Sequence, residues 1–129
     1  MLTDTIQKNI YQQRINAVIG YVRENLDADL SLETLARVAG FSPFHFHRVF
    51  KAITDETINA LIVRLRLERA AALLRATPHL SITDAAFASG FNAVATFSRA
   101  FKKQYGLPAS QWDRQSHAYA PFCRLIFVS

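Results

Sequence analysis

The chain repeats itself once. Ser31-Leu32 and Gly40-Phe41 return fifty positions on as Ser81-Ile82 and Gly90-Phe91. Arg48, Phe50 and Lys51 return with one extra residue inserted, as Arg99, Phe101 and Lys102. The shared skeleton is Ser-hydrophobic, an alanine, Gly-Phe, then aromatic-x-Arg-x-Phe-Lys. Two copies are too few for a solenoid, whose units need several stacked neighbours to cover their apolar faces. The repeat therefore predicts two similar lobes.

Local chemistry says what each lobe contains. In the first, Ser31 stands as an N-cap ahead of LETLARVA, and Gly40 suits the left-handed residue that terminates a helix. After a short turn Ser42 caps FHFHRVFKAIT, with Pro43 at its first position. Two short helices joined at a glycine have the outline of a helix-turn-helix. The second copy, opening at Ser81, repeats that outline.

Between the copies lies Thr57 to Ala76, TINALIVRLRLERAAALLRA. It holds no Gly or Pro, is dense in strong helix formers, and is stopped by Pro78. Ile58, Ile62 and Leu65 lie on one side of this helix; Val63, Leu67, Ala70 and Leu74 lie on another. A helix apolar on two sides is covered by two partners, so the segment reads as a strut between the lobes. About twenty residues span roughly 30 Å, near the ~34 Å of one DNA turn.

Before the first lobe, Tyr11, Ile15, Val18, Ile19, Val22 and Leu26 recur at helical steps, an amphipathic helix that either extends back through Ile6 and Ile10 or frays there. Beyond Gly106 the sequence reads as a loop and short terminal helix, with Trp112 against the second lobe. Residues 116–129 change to aromatic and β-branched types. They fit an extended tail pressed on the body, or the opening strand of a further domain.

A chain of 129 residues, half of them hydrophobic, can bury a core as one domain or as two small ones on a shared element. Its longest apolar runs fall short of a bilayer span, and its N-terminus is too polar for a secretory signal. One cysteine, Cys123, excludes an internal disulfide framework and a paired metal or thiol motif. These features predict a soluble cytoplasmic protein, with no membrane association.

The formal charge is +5, which suits nucleic acid, anionic membranes or acidic partners alike. Its distribution is more telling. No acid occurs between Glu33 and Asp55, nor between Asp84 and Asp113, and these stretches contain the second helix of each lobe. Enzyme chemistry finds little footing. His45 and His47 fall about 200° apart on a helix, wrong for one metal. His79 and His117 are isolated, and Ser42 and Ser110 have no evident base. Neither a cofactor nor a metal is expected.

SLETLARVAGFSPFHFHRVFKAIT, the RLRLERAAALL of the strut and SITDAAFASGFNAVATFSRAFKKQYGLP together resemble the AraC/XylS family of bacterial transcription regulators. The likeness covers roughly residues 11 to 115. It implies an all-α fold of about seven helices: two homeodomain-like helix-turn-helix lobes, about 11–55 and 80–115, joined by a linking helix over 57–76. YQQRINAVIGYVRENL and FHFHRVF look most like the Rob-type subgroup, in which a GyrI-like effector domain follows the DNA-binding half. The sequence stops where such a domain would begin, which fits a stand-alone or shortened regulator. It departs from the family pattern at Asp55, where glycine is usual, and also at Val63, Ala85, Ala109 and Asp113.

The resemblance implies base contacts at Phe44, His47 and Arg48 in the first lobe, and at Val94, Ala95, Thr96 and Arg99 in the second. An arginine can grip guanine bidentately, and a Phe edge can pack on a thymine methyl. Each has a plainer alternative: Arg48 as a phosphate clamp or surface charge, Phe44 as part of the core. Phe46, Val49 and Phe50, with Phe97, Ala100 and Phe101, face inward. Asn92 and Ala93 are placed on the leading turns of the second reading helix. Because Ala and Val offer only methyl contacts, the first lobe is expected to discriminate more.

Lys51, Lys102 and Lys103 are phosphate candidates, as are the helix starts at Ser31, Ser42 and Ser81. Arg64, Arg66 and Arg69 on the strut either pair with Glu68 and lobe carboxylates or touch the DNA backbone; for Arg66 the structural role is preferred. The expected partners are double-stranded DNA and RNA polymerase. A monomer is expected, with a dimer as the alternative. The competing function is a protein-interaction module that has lost DNA reading.

Overall fold

The computed structural model describes residues 2–112. Among these there are six α-helices, one 3-10 turn and no strand. The expected all-α class with two helix-turn-helix lobes holds. The helices are α1 Leu2–Glu24, α2 Leu32–Ala39, α3 Pro43–Thr54, α4 Ile58–Ala76, α5 Ile82–Ala88 and α6 Val94–Tyr105; Ala109–Gln111 forms the 3-10 turn. The chain divides into two compact units, Met1–Arg66 and Leu67–Ser129, with the division inside α4. The expectations for residues 116–129, with His117 and Cys123, and for Asp113 fall outside the described residues.

The capping residues act as their chemistry demands. Ser31 Oγ accepts from the Thr34 amide at 3.2 Å, Ser42 Oγ from His45 at 3.3 Å and Ser81 Oγ from Asp84 at 2.9 Å. Each hydroxyl satisfies an amide that the first helical turn leaves without a partner. Gly40 closes α2 at φ 77° and Gly106 closes α6 at φ 79°. Asp55 takes the same left-handed conformation, φ 61°, after α3, so the turn retains the glycine geometry without the glycine. In the second lobe the first helix ends differently, although Ser81 and Gly90 keep the spacing of Ser31 and Gly40. Ser89 caps α5 in the right-handed region, its Oγ donating to Ala85 O at 2.7 Å, and Gly90 takes the positive φ.

Two boundaries differ from the expectation. Helix α1 begins at Leu2, the extended of the two expected alternatives, because nothing in LTDTIQKNI breaks a helix, but it stops at Glu24 rather than running to Leu26. There the Asn25 side chain donates to Tyr21 O at 2.8 Å and its amide bonds back to Val22. Helix α6 begins at Val94, so Asn92 and Ala93 precede it rather than sitting on its leading turn. Ala93 is extended and has no side-chain cap to offer.

Each unit has its own core. In the first, Ile15, Val18 and Val22 of α1 meet Leu35 of α2 and Phe46 and Phe50 of α3, all fully buried, with Ile58, Leu61, Ile62 and Leu65 of α4. In the second, Leu67, Ala70, Ala71 and Leu74 of α4 are buried, as are Ala85, Ala86, Phe97, Phe101 and Trp112. The rings of Phe91, Phe97 and Phe101 follow one another at 5.3 and 5.5 Å, and Trp112 meets Phe101 edge-on at 5.4 Å. Each buried large side chain contributes about 1.5–3 kcal/mol. The two-sided apolar pattern of the strut is thus accounted for, except that Val63 is only half-buried.

Candidate nucleic-acid interface

Burial sorts α3 into two faces. Phe46, Val49 and Phe50 turn into the core, leaving Phe44, His47, Arg48 and Lys51 exposed at helical spacing on the other side. Phe44 is 73% exposed, which removes it from the core. It is instead held from its own helix: the Arg48 guanidinium carbon lies 5.7 Å from the Phe44 ring centroid. A cation over an aromatic face one turn away restrains both side chains.

Helix α6 is arranged in the same way. Phe97, Phe101 and Tyr105 are buried, Ala100 and Val94 are half-buried, and Ala95, Thr96, Arg99, Lys102 and Lys103 are exposed. Neither α3 nor α6 carries an acidic residue. Among the described residues no carboxylate forms an ion pair with Arg48 or Arg99, whereas Arg64 pairs with Glu56 at 2.8 Å. An uncompensated basic face on each helix can attract phosphates and place donors against base edges.

The capping serines differ among themselves. Ser42 and Ser81 are exposed, and a hydroxyl that accepts from an amide keeps its proton to donate. Ser31 is half-buried, and its Oγ also lies 2.8 Å from the Thr34 hydroxyl.

Of the strut arginines, Arg64 pairs with Glu56, and Arg69 is exposed. Arg66 is structural, as preferred, but its partners are carbonyls: Nε donates to Leu26 O at 2.9 Å and Nη2 to Ala28 O at 3.3 Å. Burial pushes its pKa down from the ordinary value.

Several positioning contacts escaped the sequence reading. Arg14 of α1 donates to Gly40 O at 3.3 Å, and its guanidinium carbon lies 5.1 Å from the Phe41 ring centroid. Phe41 in turn meets Tyr11 at 5.3 Å and His45 at 4.8 Å. This cluster ties α1 to the turn that launches α3, and so sets the direction of the exposed face of α3. No local signal marks Arg14, whose partner is twenty-six residues away. Among the described residues no group of three metal-ligating side chains occurs, and no helix is long and apolar enough to cross a membrane.

Comparison with known proteins gives concordant likenesses. A family model described as a helix-turn-helix domain matches residues 35–115. The transcriptional regulator Rob of Salmonella typhimurium is 37% identical over 102 residues, covering 79% of this chain. This chain spans about a third of Rob, 35% of its length. The regulatory protein SoxS of the same organism is 31% identical over 102 residues, covering 79% of this chain and 94% of SoxS. The DNA-binding domain of AdpA, a global transcriptional factor solved in complex with a target DNA, matches with a TM-score of 0.71 at 26% identity. That match covers 84% of this chain and 94% of the other.

Proposed function

The chain belongs to the AraC/XylS family of helix-turn-helix DNA-binding transcription regulators, and on that premise we propose that α3 and α6 read two adjacent major-groove segments of one duplex. In this reading Phe44, His47 and Arg48 contact bases from α3, and Ala95, Thr96 and Arg99 from α6. Lys51, Lys102 and Lys103 hold phosphates, together with the hydroxyls and helix starts at Ser31, Ser42 and Ser81. The observation that carries the proposal is the exposed, acid-free face on each helix, with an arginine at the matching repeat position.

The two faces are not equal readers. Helix α3 presents a ring, an imidazole and a guanidinium, whereas α6 presents a methyl, a threonine and one guanidinium. The first lobe, about 11–55, supplies most discrimination; the second, about 80–115, supplies Arg99 and backbone grip. The protein works as a monomer in the cytoplasm, at the nucleoid, and adjusts transcription by recruiting or blocking RNA polymerase.

Selection from a random duplex pool tests this. Enriched sites should show two short conserved clusters about 10 bp apart, the more stringent one under α3, with affinity falling steeply as salt rises. A pool that does not enrich, or binding indifferent to salt, would leave the protein-interaction alternative in its place.

A further inference from the structure

Beside the reading face, the first unit carries a cleft between α1 and α3, with a volume of about 460 Å³. Its floor is apolar, made by Val49, Ala52 and Ile53, and Tyr11 and His45 form an aromatic wall. Among the described residues, the charged side chains lining it are Lys8 and Arg48, both cations and both exposed. Among the described residues neither is in an ion pair. Tyr11 adds a further donor: its hydroxyl accepts from Gln7 Nε2 at 3.1 Å, which leaves its own proton to give.

Pockets of this size, mostly apolar with a few convergent polar groups, are of the kind that hold small organic molecules. We propose that this cleft binds a small carboxylate with a flat apolar body, the body on Val49, Ala52 and Ile53 and the carboxylate between Lys8 and Arg48. The aromatic wall and apolar floor select the body; two cations and a phenol, with no acid among the described lining residues, select its charge. A neutral ligand would leave both cations unanswered, and a cationic one would be repelled.

The proposal has a regulatory consequence, which rests on the reading of Arg48 as a base contact. A carboxylate that engages the Arg48 guanidinium removes it from the groove, so ligand and DNA oppose one another, each weakening the other by the same factor.

The test uses the full chain and 1-naphthoate, with the neutral 1-naphthylmethanol as control. In amide NMR titrations, 1-naphthoate should shift residues 8–11 and 45–53, at least about tenfold tighter than the alcohol, as expected for a charge-assisted contact. Ala52→Trp, which fills the cleft, should abolish the shifts. Lys8→Glu should weaken binding by about tenfold or more. Saturating 1-naphthoate should also raise the Kd of the wild type for its selected duplex, but not that of Ala52→Trp.

Equal binding of acid and alcohol, shifts elsewhere on the protein, or indifference to both substitutions would each overturn the proposal; a DNA Kd unmoved at saturation would overturn the competition between ligand and DNA. Arg48→Ala assayed without ligand keeps the two readings apart. Unchanged base preference there refutes the DNA role of Arg48, whereas a wild type that selects its duplex but shows no naphthoate shifts refutes the cleft alone.

Discussion

The guanidinium of Arg66 donates from Nε to the carbonyl oxygen of Leu26 at 2.9 Å, forty residues back along the chain. Its Nη2 reaches Ala28 O as well. Helix α1 ends at Glu24, so the carbonyls that follow have no helical amides to answer them. One planar group from α4 serves two of them.

Arg66→Ala should therefore destabilise the protein by about 1.5–3 kcal/mol, the range for hydrogen bonds to a charged group. Arg66→Lys should recover only part of this, since an ammonium lacks the fork that spans two acceptors. Urea unfolding at two salt concentrations measures it. A loss that vanishes in high salt would indicate a carboxylate partner instead.

The left-handed Asp55 suggests a second substitution. An L residue with a side chain is strained at φ 61°, although Asp tolerates this region better than most. Asp55→Gly should stabilise by about 0.5–1 kcal/mol, and Asp55→Val should cost about 1–2 kcal/mol. Opposite shifts in melting temperature are the expected result; no shift in either would mean the turn relaxes around its occupant.

Phe44 distinguishes binding from packing. At 73% exposure it contributes little to the fold, and Phe44→Ala should change unfolding free energy by less than about 0.5 kcal/mol. The same variant should bind its selected duplex about 1 kcal/mol more weakly, through lost contact with a thymine methyl and lost restraint on Arg48. A stability loss larger than the binding loss would put the ring back in the core.

The arginines and lysines should separate by what they touch. Arg48→Ala and Arg99→Ala should each cost about 1–3 kcal/mol on the selected site and relax preference at one position. Lys102→Ala should weaken all sequences alike and reduce the salt slope by about one. Competition binding against random duplex decides between them, because equal losses on both DNAs for the arginines would make them phosphate contacts.

Much of this molecule is written in short-range chemistry. Ser31, Ser42 and Ser81 reach amides three residues ahead, Gly40 adopts a conformation open to few other residues, and Pro78 stands two residues past the end of α4. Each is decided within one turn, so the sequence alone specifies which segments are helical, their repetition and the two apolar sides of α4, though not the end of α1 or the start of α6. The buried faces of α3 and α6 follow from helical periodicity for the same reason.

Tertiary structure decided the rest. Periodicity cannot say whether a ring on a helix's first turn folds over the core or stands away from it; Phe44 stands away, steadied by Arg48. It cannot say what meets a distant guanidinium either: Arg66 found carbonyls where carboxylates were expected, and Arg14 found the turn at Gly40. The cleft between α1 and α3 is likewise a product of packing, since Lys8 and Arg48 come to line one cleft only when the chain between them has folded back. Contacts within a turn depend on residue type, whereas contacts across the chain depend on where folding brings each group.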